Sequence, residues 1–276
     1  MSALENTRIA FIGSGVMGEA IIGGLLARRL VEPEAIIASD NRAERGRELA
    51  ARYQIRVTTD NVEAVQQAHI VVLAVKPQVL PHVLAPLQGQ LRPDALIISI
   101  VAGARIGKIA KGLGHRTIVR VMPNTPAQIG QGMSVWMSTP EVSEQQREQA
   151  RAILQSLGEE LAVDGEDYLD MATALSGTGP AYVFLFMEAL IDAGVHLGFS
   201  REVARKLVLQ TLQGSVAFAR ETNLHPAELR NMVTSPGGTS AEALYQLEKG
   251  GLRAALSRAI WAAFKKSRYL GGLTDE

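Results

Sequence analysis

One hexapeptide near the start of the chain narrows the possible folds most. Ile9-Ala10-Phe11-Ile12 runs into Gly13-Ser14-Gly15-Val16-Met17-Gly18, and helix-period residues follow at once. This is G-x-G-x-x-G with a strand pattern before it and a helix pattern after it, the context that gives the motif its meaning. Gly13 permits a tight turn, Gly15 removes a side chain where a pyrophosphate approaches, and Gly18 lets helix and strand pack closely. The helix start offers N–H groups without intrahelical partners and the positive end of the helix dipole. Residues 13–18 are therefore expected to cradle the phosphates of a dinucleotide.

The rest of the first half repeats the same alternation. Apolar runs of strand length occur at 9–12, 36–39, 70–75, 96–100 and 118–122, with helix-period stretches at 19–29, 42–53, 62–67, 79–87 and 106–113. Nearly all-apolar strands alternating with helices predict a parallel sheet covered on both faces. A β-like segment at 133–137, a helix over 143–156 and a last strand at 160–163 follow. Ser143 and Gln146 form a capping box for that helix. Beyond about Val163 the strand pattern stops, and 181–197, 201–222, 226–234, 241–249 and 252–270 all read as helices. The expected fold class is α/β: a Rossmann-like, doubly wound, mostly parallel sheet over 1–164, followed by an all-α domain over 165–276. The last helix carries Leu252, Leu256, Ile260, Ala263 and Phe264 on one stripe. From spacing alone the stripe reads as intrachain core in preference to a subunit interface.

Composition excludes several function classes. Lys plus Arg and Asp plus Glu each total 28, so the chain lacks the basic surplus of a nucleic-acid binder. It has no Cys, which rules out disulfides, thiolate chemistry and iron–sulfur clusters. His69, His82, His115, His196 and His225 are scattered with no ligand spacing, so no metal site is expected. Apolar runs are of strand length, so no membrane span is expected. Residues 1–6 show no basic stretch leading into an apolar one, and a cytoplasmic location is the expectation.

In such sheets ligands bind beyond the carboxyl ends of the strands. The second strand ends at Ser39-Asp40-Asn41-Arg42. An acidic residue there usually holds the ribose 2′-hydroxyl of NAD, and a nearby Arg admits the 2′-phosphate of NADP. With Ser39, Asn41 and Arg42 as donors and Asp40 expected to point away, NADPH is favoured over NADH. Further cofactor contacts are expected from Ala74, Val75, Lys76 and Pro77, and from Ala102 and Gly103, where small residues leave room for a nicotinamide. Asn61 reads equally as a helix cap or a cofactor contact, and the Asn124 amide as a carboxamide or substrate anchor.

Two Gly-rich segments open helices in the second half: 175–182 (Leu-Ser-Gly-Thr-Gly-Pro-Ala-Tyr) and 234–240 (Thr-Ser-Pro-Gly-Gly-Thr-Ser). Thr239-Ser240-Ala241-Glu242 reads as a capping box. The sharper reading adds an anion site, with backbone N–H groups at Gly237 and Gly238 and hydroxyls at Ser235, Thr239 and Ser240. With no Lys or Arg in the segment, a small monocarboxylate suits it better than a polyphosphate.

Together these motifs resemble the Δ1-pyrroline-5-carboxylate reductase family of proline biosynthesis. The resemblance rests on residues 11–18, 74–77, 122–126 (Met-Pro-Asn-Thr-Pro), 175–182 and 235–238, in family order from about Ile9 to Leu270. It implies NAD(P)H bound in the first half and reduction of pyrroline-5-carboxylate to L-proline. It also implies an intertwined homodimer with an active site containing residues of both subunits, in some members assembled into a decamer. The 235–240 loop would hold the substrate carboxylate, and a hydroxyl at Ser240 or Thr239 would meet the ring nitrogen. A protonated imine is already electrophilic, so the implied chemistry needs no covalent nucleophile. A six-membered imine differs by one methylene, worth only about 1–3 kcal/mol in discrimination. A β-hydroxyacid dehydrogenase of similar build would carry Lys in a G-x-x-x-K arrangement, which the helical half lacks. A non-catalytic NADP-binding regulator is the rival from another class.

Overall fold

A computed structural model describes residues 3–273. The extreme ends, including the start of the segment read for a leader and the end of the expected helical domain, lie outside the described residues. Chain order gives β1 (Ile9–Ile12), α1 (Val16–Ala27), β2 (Ile36–Ser39), α2 (Ala43–Tyr53), β3 (Arg56–Thr58), α3 (Asn61–Val65), β4 (Ile70–Leu73), α4 (Leu80–Leu87), β5 (Leu96–Ser99), α5 (Ile106–Leu113) and β6 (Ile118–Met122). Then come β7 (Gly132–Ser138), α6 (Glu144–Gln155), β8 (Gly158–Ala162), α7 (Glu166–Ala172), α8 (Gly179–His196), α9 (Arg201–Thr222), α10 (Pro226–Met232), α11 (Thr239–Lys249) and α12 (Leu252–Leu270). The sequence pattern misses β3, whose three residues include Arg56 and Thr58 and are only partly buried. β4 and β5 stop short of their expected ends, leaving Ala74, Val75 and Ile100 in loops.

The eight strands form one sheet in the order β3-β2-β1-β4-β5-β6-β7-β8. All neighbours are parallel except β6 and β7. The order reverses between β2 and β4 around β1, which makes the carboxyl end of β1 the switch-point crevice. Alternation along β1 explains its all-apolar sequence: Ile9 and Phe11 enter one core with α1 and α6, while Ala10 and Ile12 enter the other with α3, α4 and α5.

Packing divides the chain into two compact units, residues 1–178 with 263–276, and residues 179–262. The division falls after the change of pattern near Gly165. In the first unit, Arg120 and Asp170 are buried together: Arg120 donates to Glu166 at 2.6 Å, Arg105 to Asp170 at 3.1 Å, and Ser267 to Asp170 at 2.9 Å. This cluster ties β6 and the start of α5 to α7 and to the last turns of α12.

The second unit is organised differently. Ala204, against which Gly194 packs where α8 meets α9, is its one buried residue. Phe184, Leu185 and Trp261 are 59%, 66% and 60% exposed. None of Leu252, Leu256, Ile260, Ala263 and Phe264 is buried, which corrects the reading of that stripe as intrachain core. The helical run Glu166–His196 is also long and apolar enough, by length and composition, to cross a membrane, with a mean hydropathy of 1.4 over its best window. The uninterrupted apolar stretch within it, residues 181–187, is still of strand length. A π-turn over Thr173–Gly177 precedes α8, which the 175–182 segment opens at Gly179, as read. Pro180 falls in the first turn of α8, where its missing N–H would have had no intrahelical acceptor.

Candidate active site

The crevice predicted by strand order holds a cavity of about 460 Å³. Its lining includes Gly13, Gly15, Ser39, Asp40, Asn41, Arg42, Asn61, Ala74, Val75 and Lys76, so most residues expected at the cofactor meet there. Val79 and Val83, which sequence reasoning missed, add an apolar wall. A larger groove of about 680 Å³ runs along α1 past Gly23, Gly24 and Arg28; of the predicted residues it includes only Val16. Ala102 is exposed outside both, and Gly103 turns with φ +69° against Leu270.

The glycines divide by role. A Cβ at Gly13 would lie 2.8 Å from the Ala74 carbonyl oxygen, and one at Gly18 2.8 Å from the Gly13 carbonyl oxygen. Both are too close, so these two positions serve packing. A Cβ at Gly15 would meet nothing within 4 Å. The N–H groups of Gly15, Val16, Met17 and Gly18 find no acceptor among the described residues. Open space above Gly15 beside four unsatisfied donors fits a dinucleotide phosphate.

Asp40 does not point away, contrary to expectation. One carboxylate oxygen accepts from the N–H of Ser14 at 3.2 Å and its hydroxyl at 3.0 Å, and the other accepts from Arg42 Nε at 3.1 Å. The side chain is turned in because the loop presents two donors and Arg42 caps it from solvent. Burial works against ionisation, but the bonds from Arg42 and Ser14 outweigh it and hold the carboxyl below its usual range. Ser39 is likewise engaged, donating to Asn61 Oδ1 at 2.7 Å. Asn61 is not a cap: Asp60 caps α3, accepting from Val62 N at 2.8 Å. Arg42, at the N-cap of α2, stays largely exposed.

Asn124 serves the scaffold with one donor and one acceptor. Its amide donates to the Ser176 carbonyl at 3.1 Å and accepts from Met133 N at 2.9 Å, joining the 122–126 segment to 175–182.

In the helical unit, Ser235-Pro236-Gly237-Gly238 forms a tight turn. Gly237 has φ +70° and Gly238 N donates to the Ser235 carbonyl at 3.1 Å. Proline followed by glycine with positive φ is the type II arrangement. Gly238 then takes the N-cap position of α11, without a side-chain cap. This overturns the capping box expected at Thr239–Glu242: Thr239 is already helical, and Glu242 accepts from Gln246 instead. The consequence is more donors. Among the described residues, the N–H groups of Gly237, Thr239 and Ser240 and the hydroxyls of Ser235, Thr239 and Ser240 meet no partner.

The comparisons with known proteins agree with this architecture. Residues 166–270 match the family model for pyrroline-5-carboxylate reductase dimerisation, and residues 8–103 match that of coenzyme F420-dependent NADP oxidoreductases. A pyrroline-5-carboxylate reductase from Synechocystis is 44% identical over 96% of this chain and 98% of its own. The chain belongs to the pyrroline-5-carboxylate reductase family. Another reductase of that name, from Pseudomonas aeruginosa, is 44% identical over 97% of this chain and 98% of its own. A crystal structure of Plasmodium falciparum pyrroline carboxylate reductase with NADP bound superposes with a TM-score of 0.89. It is 35% identical and covers 97% of this chain and 99% of that one. Membership makes this chain an oxidoreductase of proline biosynthesis with an NADP-binding Rossmann fold. It also accounts for the apolar run 166–196, which lies wholly within the matched dimerisation region.

Two of the histidines have structural work. His69 Nδ1 accepts from Arg8 N at 2.9 Å, and His225 caps α10 by accepting from Ala227 N at 3.2 Å. His196 ends α8, as its Gly-flanked setting implies.

Proposed function

We propose that this chain is a cytoplasmic enzyme that reduces Δ1-pyrroline-5-carboxylate to L-proline, with NADPH preferred to NADH. The observation that carries the substrate assignment is the 235–240 turn. It offers three unbonded N–H groups and three unbonded hydroxyls at the start of an eleven-residue helix, with no Lys or Arg in the turn. That donor set suits one small carboxylate. Gly237, Ser235 and the Thr239 N–H hold the carboxylate in this reading; the Gly238 N–H, expected to join them, is taken by the Ser235 carbonyl. The Ser240 hydroxyl holds the ring nitrogen and passes it a proton through water, with Thr239 as the alternative donor.

A bound reduced nicotinamide supplies the hydride. Gly15 through Gly18 present backbone donors to its phosphates, with Gly13 shaping the turn and Ser14 held within it. Asn41 and Arg42 meet the ribose end. Lys76, following Ala74 and Val75, borders the cavity toward the ring side, with Pro77 just beyond its lining; Ala102 and Gly103 lie outside the cavity and take no part in this reading. Asp40 does not rule out a 2′-phosphate, because Ser14 and Arg42 already occupy its oxygens. Asn124 acts by keeping the 175–182 segment in place.

The apolar exposure of the helical unit supports an intertwined homodimer, with residues of both subunits at the active site and a decamer as the higher assembly. Parallel assays with NADPH and NADH test the cofactor choice. The expected result is faster imine-dependent oxidation of NADPH; a faster rate with NADH would reassign the ribose pocket to Asp40. Rates comparable with a six-membered imine would broaden the substrate to both ring sizes.

A further inference from the structure

We infer that Arg45 is a positioning residue for the glycine-rich loop, holding it in the shape that receives dinucleotide phosphates. This rests on the reading of that loop as a cofactor cradle. Arg45 lies on α2, outside the cavity, yet its Nε donates to the Ser14 carbonyl at 2.9 Å. Its two terminal nitrogens bind Glu19 on α1 and Glu48 on α2, the latter at 3.0 Å. Glu19 is held in turn by Arg52 at 2.8 Å and Tyr53 at 3.1 Å. The side chain of Arg45 is only 18% exposed.

The position of that bond is informative. Ser14 is fully buried in the middle of the loop, and its N–H and hydroxyl go to Asp40. Arg45 takes its remaining polar group, so every polar atom of Ser14 is bound by the β2–α2 segment. Helix α1 begins two residues later, after Gly15 as its N-cap, and its first bond runs from Glu19 N to the Gly15 carbonyl at 2.9 Å. The same guanidinium therefore fixes the loop on one side and α1 on the other. The free N–H groups from Gly15 to Gly18 lie between those two attachments. A planar fork can span such a pair of acceptors, whereas an ammonium on a flexible stem cannot reproduce it.

The test uses the full-length protein and compares Arg45→Lys, Arg45→Met and Glu48→Gln. NADPH binding is read calorimetrically without imine, alongside thermal midpoints and steady-state constants. Arg45→Lys keeps a cation beside Glu19. The expected result is a wild-type thermal midpoint with NADPH Kd and KM raised roughly tenfold, the scale of one lost charged hydrogen bond. The KM for the imine should be unchanged. Arg45→Met should weaken NADPH at least as much, and Glu48→Gln should bind like wild type. NADPH affinity at the wild-type level in Arg45→Lys would overturn the inference while leaving the cofactor reading intact. Failure of the wild-type protein to bind NADPH would overturn both.

Discussion

Gly15 separates steric function from packing within a single loop. Its missing Cβ would point into open space, so Gly15→Val should fold with a near wild-type thermal midpoint yet lose NADPH binding. Gly13→Val should instead unfold more easily, because its Cβ would lie against the Ala74 carbonyl. Calorimetry and thermal melts on the two variants check the contrast. Ser240→Ala should lower kcat/KM for the imine about two- to tenfold, the value of one neutral hydrogen bond of about 0.5–1.5 kcal/mol. Unchanged kinetics would remove Ser240 from the reaction and favour Thr239. Glu19 adds a pH dependence. Burial opposes its ionisation, but bonds from Arg45, Tyr53 and Arg52 outweigh burial and lower its pKa. A carboxyl lowered in the folded state contributes stability above its unfolded pKa and loses it as pH falls through the folded one. The gap in urea midpoint between wild type and Glu19→Gln should be widest near neutrality and close in acid below the usual carboxylate range. The residue types at the carboxyl ends of β1, β2 and β4 were legible from spacing. The orientation of Asp40 was not, because it depends on two Ser14 donors that only the folded loop presents.

Helices show the same divide between local and nonlocal information. The capping box at Ser143 and Gln146 forms as read, with both reciprocal bonds present. The similar pattern at Thr239–Glu242 does not form, because the preceding Pro-Gly turn delivers Gly238 to the cap position first. Sequence spacing reports a cap only when nothing upstream competes for it. The π-turn at Thr173–Gly177 was illegible because nothing in the local spacing marks a widened turn, whereas Gly179 and Pro180 do open α8 as read. The cluster around Asp170 was also missed, since Arg105, Arg120 and Ser267 come from three distant elements. Removing one member of a buried ionic group strands the others, at about 3–5 kcal/mol. Asp170→Ala should therefore lose that much stability in urea unfolding. A loss below about 1 kcal/mol would mean that the cluster is solvated and contributes as little as a surface pair.

Across the whole molecule, the sheet unit carries its own core and the helical unit does not. The alternation of apolar strands and amphipathic helices made the first legible, because a parallel sheet buries both faces within one chain. The stripe on α12 misled for the opposite reason: periodicity marks a face that must be covered without saying which chain covers it. An exposed apolar surface of this extent points to association. Light scattering should show at least a dimer at micromolar protein, and Phe184→Asp together with Leu185→Asp should shift the protein to an aggregating or monomeric form. A well-folded wild-type monomer would contradict the dimer. The most direct test of the central claim is loss of reduced-nicotinamide absorbance on mixing the protein, NADPH and pyrroline-5-carboxylate, with the product identified by amino-acid analysis. Oxidation that requires the imine and yields one proline per NADPH consumed is the expected result. A folded protein that binds NADPH but leaves it unoxidised in the presence of the imine would contradict it.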